Sequence, residues 1–165
     1  MHGEDYAGQD VAGWIQQEKF RGHRCYWNGA RLFTRTGKAL LAPYWFTAGL
    51  PLGVPLDCEL YAGVDGEADV SAVCNSGRGW ESLRLVVFDA PKASGGYKAR
   101  HAEICALVPA FARFVQVATF SAVESVAALG AQLAELQARA GEGFMLRHPD
   151  AAYTWGRVDS LLKFK

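Results

Sequence analysis

The sequence lacks the features of a secreted or membrane-spanning protein. It contains no run of about 18 or more consecutive apolar residues, the minimum for a helix that crosses a bilayer. Its first five residues, MHGED, have neither the basic region nor the apolar region of a signal peptide. We therefore expect a cytoplasmic protein that makes no contact with a membrane.

Cysteines are few, and none is placed as a metal ligand usually is. The four lie far apart and form no CxxC pair, and no histidine stands at the spacing of a zinc site. The sequence therefore predicts reduced, partly buried thiols at Cys25, Cys58, Cys74 and Cys105.

An excess of either charge is also absent, because 17 basic side chains are balanced by 17 acidic ones. This balance argues against a protein that binds polyanions through bulk charge. The distribution is uneven, however, since no acidic residue lies between positions 19 and 38, and a second group of basic residues follows position 146. Two basic clusters suit a phosphate-bearing ligand, although solvated surface charge explains them equally well. The first cluster comprises Lys19, Arg21, Arg24, Arg31, Arg35 and Lys38.

Half of the 165 residues are apolar, enough for one substantial core, and we interpret residues 1–165 as one domain. Asn28-Gly29 predicts a tight type I′ hairpin turn between strands 25–27 and 32–34. Alternation over 55–61 predicts a strand with Leu56, Cys58 and Leu60 on one face and Glu59 on the other. The apolar run 83–90 predicts a central strand that ends before a proline.

Helices are predicted in the second half of the chain. One covers residues 97–107, and a second begins with the capping box Ser121-Ala122-Val123-Glu124 and stops at Gly141. Its stripe of Val126, Leu129, Leu133 and Leu136 belongs to a core. Short strands at 144–146 and 161–165 follow, the latter with Lys163 and Lys165 on one face. The pattern is that of an α+β protein.

Lys19 opens the segment KFRGHR, residues 19–24, and is the strongest candidate for a nucleophile. An amine attacks phosphorus only when it is unprotonated, and cationic neighbours such as Arg21, His23 and Arg24 favour the neutral amine. A lone lysine in a basic run is usually only a surface residue. The segments that follow Lys19 in the chain favour the nucleophile over the surface residue.

Those segments, in order, resemble the motifs of covalent nucleotidyltransferases, the group that includes DNA ligases, RNA ligases and mRNA capping enzymes. KFRGHR is similar to the first motif, Lys-x-Asp-Gly-x-Arg. DCELY at 57–61 resembles the third motif, EGFMLR at 142–147 the fourth, and LLKFK at 161–165 the fifth. Segments 8–14, 33–38, 42–51 and 86–91 also look like small bacterial ATP-dependent DNA ligases. The resemblance covers nearly the whole chain and implies an ATP-grasp-like nucleotidyltransferase fold, mainly antiparallel sheets with flanking helices.

The resemblance also implies roles for individual residues. Lys19 would accept AMP from ATP as a lysyl-AMP adduct that serves the sealing of nicked DNA. Glu142 would help bind Mg²⁺ or Mn²⁺. Nucleotide contacts are implied for eight further residues: Arg24 at the ribose or a phosphate, Glu59 at the ribose, Phe88 stacked on adenine, Arg35, Lys163 and Lys165 at phosphates, and Gln17 and Glu18 just before the nucleophile.

Two departures from the family pattern favour a second hypothesis, a catalytically lapsed homologue that binds nucleotide or DNA ends without turnover. Arg21 stands where the motif has aspartate, which reverses a charge two residues from Lys19. The sequence also ends on the fifth motif, so we expect no oligonucleotide-binding (OB) domain within 1–165. A separate OB-fold chain would then supply that domain, unless it has been removed or the reaction is no longer completed. An RNA ligase or a capping-type guanylyltransferase is a third alternative, which fits the flanking segments less well.

Overall fold

The computed structural model describes residues 1–165, which form two compact units. Unit 1 comprises Met1–Phe20, Ser94–Lys98 and Ala118–Lys165, and unit 2 comprises Arg21–Ala93 and Ala99–Val117. In chain order the elements are β1 (His2–Asp5), β2 (Ile15–Lys19), β3 (His23–Trp27), β4 (Leu32–Thr34), α1 (Tyr44–Thr47), β5 (Leu56–Tyr61), α2 (Glu67–Ser76), β6 (Arg84–Asp89), α3 (Tyr97–Leu107), β7 (Val115–Val117), β8 (Ser121–Ala122), α4 (Val126–Ala138), β9 (Gly143–Arg147) and β10 (Arg157–Phe164).

Unit 1 is built on a five-stranded sheet with the order β1-β10-β9-β2-β8. Strand β9 is central and antiparallel to both β10 and β2, whereas β1 runs parallel to β10. A small core of Val11, Val123, Leu129, Leu146 and Leu162 joins this sheet to α4. The strands predicted at 144–146 and 161–165 are confirmed as β9 and β10, and their pairing brings the fourth and fifth motifs side by side.

Unit 2 contains the second five-stranded sheet, with the order β4-β3-β5-β6-β7. All neighbouring pairs are antiparallel except β6 and β7. The alternation predicted for β5 is confirmed, since Leu56, Cys58 and Leu60 are fully buried and Glu59 is only partly buried. The mixed sheets and helices of the two units confirm the α+β prediction.

Two local predictions are wrong in detail. The hairpin at Asn28-Gly29 exists, but its loop has four residues, because the Asn28 side chain accepts hydrogen bonds from the amides of Ala30 and Arg31. The second helix begins after Ser125, whose hydroxyl caps the amide of Ala128. The predicted capping box at Ser121 lies instead in β8, because β2 recruits Ser121 and Ala122 as an edge strand.

The predicted helix at 97–107 is confirmed as α3, and the strand at 83–90 as β6, which lies inside the sheet between β5 and β7. Leu129 and Leu136 of α4 are buried as expected, whereas Val126 is half exposed. None of the helices combines the length and apolar character needed to cross a bilayer.

Candidate active site

Lys19 lies at the end of β2, with its amine held by a carboxylate. Its Nζ is 2.6 Å from Oε2 of Glu142, and the two side chains are 24% and 13% exposed. The pairing of Lys19 with Gly143 across β2 and β9 places Glu142 next to this lysine. A charged hydrogen bond of this length in a partly buried position is stronger than a surface ion pair. The structure thus brings together two of the residues that the sequence singled out.

Lys165 approaches the same carboxylate, with its Nζ 3.7 Å from Oε1 of Glu142. Gly143 makes this approach possible, because a Cβ there would lie 2.4 Å from the carbonyl oxygen of Phe164 and 2.8 Å from Cβ of Lys165. One carboxylate therefore faces two amines at the point where β9 meets the end of β10. This is the arrangement expected if the fourth and fifth motifs act together on an anionic ligand.

Lys163 points to a different partner, Asp5 of β1, with 3.6 Å between Nζ and Oδ1. The two residues are register partners in the parallel pair of β1 and β10. Asp5 is 79% exposed, so the pair is a weak surface contact that a phosphate can replace. Lys163 is thus only weakly paired and stands two residues before Lys165 on the same side of β10.

Gln17 is buried and engaged within unit 1. Its amide nitrogen donates to the Tyr97 hydroxyl at 2.7 Å and to the Ala118 carbonyl at 3.3 Å. Glu18 is partly buried and is the register partner of Phe144 in the pairing of β2 with β9. Gln17 thus uses its donors to tie β2 to Tyr97, a positioning contact for the strand that ends in Lys19.

A second group of predicted residues lies in unit 2, on the face of its sheet opposite Leu56, Cys58 and Leu60. Arg24 of β3 forms a bidentate ion pair with Asp57 of β5. Its Nε donates to Oδ1 at 2.9 Å and its Nη2 donates to Oδ2 at 2.5 Å. Its guanidinium stands 5.5 Å from the centre of the Phe88 ring. Arg24 and Glu59 are direct register partners. Three residues expected at the nucleotide are therefore neighbours.

Gly22, the glycine of the first motif, is required by packing. A Cβ at this position would lie 2.0 Å from the Leu60 carbonyl oxygen and 3.1 Å from Cγ of Glu59. Only glycine lets the chain pass this close to β5 as it enters β3. The motif glycine thus sets the position of Arg24 relative to Glu59.

Asp57 was not among the residues predicted for the site. Its side chain is 5% exposed, and its carboxylate orients the Arg24 guanidinium with a geometry that lysine cannot match. Burial, and secondarily the charge of Asp57, raise the pKa of the neighbouring Tyr26. The alternation of β5 places Asp57 on the same face as Glu59, but only the register of β3 against β5 reveals its partner.

We expect Asp57→Asn to weaken nucleotide use about tenfold, the equivalent of 1.4 kcal/mol, mainly through KM for ATP. Asparagine keeps the shape of the side chain but cannot hold the guanidinium as an ion pair. The measurement is the ATP dependence of protein labelling by α-labelled ATP. Asp69→Asn, an exposed change on α2 with the same loss of charge, is the matched control. Equal KM values for the two variants would contradict a positioning role for Asp57.

Arg21 and His23 have local partners within unit 2. The Arg21 guanidinium lies 3.4 Å from Asp65, and both side chains are well exposed, at 49% and 76%. His23 Nε2 is 3.0 Å from the Ser71 hydroxyl. Together with the Arg24–Asp57 pair, these contacts give Arg21, His23 and Arg24 each a partner of its own. Arg35 is exposed on the tight turn that follows β4 and makes no ion pair.

No group of three or more His, Cys, Asp or Glu side chains forms a metal cage. Mg²⁺ commonly takes one or two protein carboxylates and completes its shell with water and substrate phosphates. Glu142 can provide one such carboxylate, so the residues present fit a cation that arrives with a phosphate ligand. The cysteines are all free, and burial raises the pKa of the Cys25 and Cys58 thiols well above the usual value, which keeps them protonated.

No family model matches the chain. A DNA ligase of Haemophilus influenzae is 34% identical over 163 residues, which are 97% of this chain and 60% of that protein. The chain thus spans less than two thirds of this curated relative.

Solved structures of DNA ligases superpose on the whole chain. A Lig E DNA ligase, described in a study of DNA binding with a minimal scaffold, has a TM-score of 0.84 and 28% identity, and covers 100% of this chain and 69% of its own. The Chlorella virus DNA ligase-adenylate has a TM-score of 0.79 at 18% identity, with 99% of this chain and 65% of its own covered. In sequence this chain is similar to a DNA ligase over nearly its whole length, and its fold is the nucleotidyltransferase fold of the solved ATP-dependent DNA ligases.

Proposed function

We propose that this chain performs the adenylylation step of a DNA ligase, with Lys19 as the residue that accepts AMP from ATP. The observation that carries this proposal is the Lys19 amine at the end of β2, held 2.6 Å from the Glu142 carboxylate with Lys165 on its other oxygen. An amine, a proton acceptor and a second cation at one point are what a phosphoryl transfer to lysine requires.

In this proposal the Lys19 nitrogen forms a bond to the α-phosphorus of ATP, and the bond from that phosphorus to the bridging oxygen breaks. Glu142 accepts one proton from the Lys19 ammonium to free the attacking amine, and the second proton, released as the nitrogen–phosphorus bond forms, leaves with pyrophosphate, which also takes the electron pair of the broken bond. Lys163 and Lys165 neutralise phosphate charge, with Arg35 as a further phosphate contact. Arg24 and Glu59 bind the ribose and Phe88 stacks on adenine, while Gln17 and Glu18 support the strand that carries the nucleophile.

A divalent cation, Mg²⁺ or Mn²⁺, would be held by Glu142 together with the nucleotide phosphates. When bound it neutralises the negative charge that develops on the phosphates. The protein side chains keep their own tasks, since Glu142 also orients Lys19 and the fifth-motif lysines remain available to the phosphates.

The wider activity of the whole protein is part of the same proposal. We infer that the adenylate serves nick sealing in DNA, that nicked DNA is the natural partner, and that an OB-fold domain or chain completes the enzyme. The H. influenzae relative is named a DNA ligase, and this chain spans 60% of it. A cytoplasmic location remains our expectation from the sequence.

Incubation with α-labelled ATP and Mg²⁺, followed by denaturation and electrophoresis, tests the adenylylation step. We expect label to remain on the protein, and excess unlabelled ATP added together with the labelled ATP, but not GTP, to prevent the labelling. Competition by GTP alone would instead identify a capping-type guanylyltransferase. No retained label in the presence of a ligase OB-domain would contradict the proposal.

We expect Glu142→Gln to lower the labelling rate about 10- to 100-fold and to raise the Mg²⁺ concentration needed for half-maximal labelling. The amide can neither take the Lys19 proton nor offer an anionic ligand. A Mg²⁺ titration of the labelling rate is the measurement. Glu135→Gln on the exposed side of α4 removes the same charge and should label normally. A Glu142→Gln variant with an unchanged Mg²⁺ titration would count against this role.

The substitution Arg21→Asp distinguishes the hypothesis of an active adenylylating protein from the hypothesis of a catalytically lapsed homologue. The Arg21–Asp65 pair is solvent-exposed, and such pairs contribute about 0–1 kcal/mol. We therefore expect the wild type to label and the substitution to change its rate by less than about fivefold. If the wild type is not labelled and labelling appears only after Arg21→Asp, then Arg21 is the cause of the lost activity.

A further inference from the structure

A surface of unit 2 exposes large apolar side chains that the proposed adenylylation does not use. Tyr44 and Trp45 of α1 are 85% and 48% exposed, and Phe111 in the turn before β7 is 90% exposed. Leu41 and Leu52, one on each side of α1 in the sequence, are also exposed. We call these five residues the aromatic patch. Clusters of this kind are uncommon on the surface of a monomer that has no partner.

The segments that carry the aromatic patch are packed firmly against each other. The Trp45 ring centre lies 5.0 Å from that of Phe114, and Phe114 packs on Phe46 at 5.6 Å. A Cβ added at Gly49 would come within 2.6 Å of the Ala112 Cβ, so the chain after α1 touches the turn that presents Phe111. Trp45 therefore stands on a buried aromatic base, and the segments that carry Tyr44 and Phe111 are held in place beside it, which reduces the ordering needed before binding.

Two arginines flank this base. The guanidinium groups of Arg113 and Arg84 stand 5.1 Å and 5.5 Å from the centre of the Phe114 ring. Arg84 donates to the carbonyl oxygens of Leu83 and Glu81, and neither arginine forms an ion pair with a carboxylate. The surface thus combines exposed aromatic rings with two positive charges that have no acidic partner.

We propose that the aromatic patch, with Arg84 and Arg113, binds an acidic segment of another protein that carries aromatic or leucine side chains. Tyrosine, tryptophan, phenylalanine and arginine are the residues enriched at the centres of protein interfaces. Carboxylates on the partner would pair with the two guanidinium groups, and its apolar side chains would cover Tyr44, Trp45 and Phe111. None of these residues is among those assigned to adenylylation.

Two other occupants fit less well. Bases could stack on the exposed rings, but a nucleic acid strand is held by many phosphate contacts, and this surface offers only two arginines, beside two leucines that provide neither charge nor a ring. A second copy of the chain in a symmetric dimer would place the same patch against itself and bring like charges together. An acidic, apolar protein segment satisfies both the rings and the guanidinium groups.

The test uses a fluorescein-labelled synthetic peptide in which glutamate and aspartate alternate with leucine and phenylalanine, titrated with the full chain by fluorescence anisotropy. We expect saturable binding that salt weakens, and none for the same peptide with lysine in place of its acidic residues. Phe111→Ser and Tyr44→Ser should each weaken binding at least about fivefold, and Arg113→Glu at least about tenfold. Arg78→Glu, an exposed arginine of unit 2 outside the patch, is the matched charge control.

Three results would overturn the proposal. The acidic peptide could fail to saturate, the patch variants could bind it as the wild type does, or Arg78→Glu could weaken it as much as Arg113→Glu. Labelled oligothymidylate bound more tightly than the peptide and released by Phe111→Ser would identify a nucleic acid surface instead. A concentration-dependent dimer in sedimentation, abolished by Phe111→Ser, would identify a second copy. Labelling by α-labelled ATP should be unchanged in Phe111→Ser, which separates this site from the proposed adenylylation.

Discussion

Lys19→Ala will lose covalent labelling by α-labelled ATP, with a fall in rate of at least about a thousandfold. The reason is chemical, because the adduct needs the side-chain nitrogen and no other amine contacts Glu142 at 2.6 Å. The measurement is label retained after denaturation. The remaining lysines provide an internal check, since any random modification by activated nucleotide would survive the substitution.

Lys19→Arg is the control that separates nucleophile from counter-ion. Arginine keeps a positive charge for Glu142 and so should preserve the local structure, but its guanidinium is always protonated and does not attack phosphorus. We expect it to be as inert as Lys19→Ala, with a thermal unfolding temperature close to that of the wild type. Retained labelling in Lys19→Arg would show that another residue is the nucleophile.

Arg100→Met will have the largest effect on stability. Its guanidinium is completely buried in unit 2 and lies 2.7 Å from Asp89, which is 1% exposed and also accepts the Ala90 amide. Removal of one partner leaves a buried charge without compensation, at a cost of about 3–5 kcal/mol. For a chain of this length, that corresponds to a decrease of roughly 6–20 °C in Tm.

The double variant Asp89→Leu/Arg100→Met shows whether the loss comes from the unpaired charge. Replacement of both ions by apolar side chains of similar size is often close to neutral, so we expect most of the Tm to return. Arg78→Met, which removes an exposed arginine, should change Tm little. If Arg100→Met unfolds within about 3 °C of the wild type, the buried pair contributes less than its burial indicates.

Much of the fold could be predicted because its signals are local. Burial of Leu56, Cys58 and Leu60 follows from an alternation of period two, and helix α3 follows from its composition. Strand β2 gives no such signal, since Gln16 and Gln17 are polar yet buried. Their burial is tolerated because Gln132 and Tyr97, distant in the sequence, satisfy their amides.

The start of α4 shows how tertiary contacts override a local preference. Ser121 and Ser125 are both suitable N-cap residues, and the sequence pattern favoured the first. Strand β2 pairs with Ser121 and Ala122, and the Trp14 carbonyl accepts the Val123 amide, so the helix can begin only at the second. A pairing with a segment about a hundred residues away is not encoded in the four residues of a capping box.

The sequence by itself determined which side chains are present for chemistry. These are a lysine in a motif with glycine and arginine, and two lysines, Lys163 and Lys165, that alternate with the apolar residues Leu162 and Phe164. Tertiary structure decided which charges meet. Lys19 finds Glu142 across 123 positions and Arg24 finds Asp57 across 33, through the pairing of β2 with β9 and of β3 with β5. Ion pairs act over a few ångströms, so strand register, which no single segment specifies, selects the partner of each charge.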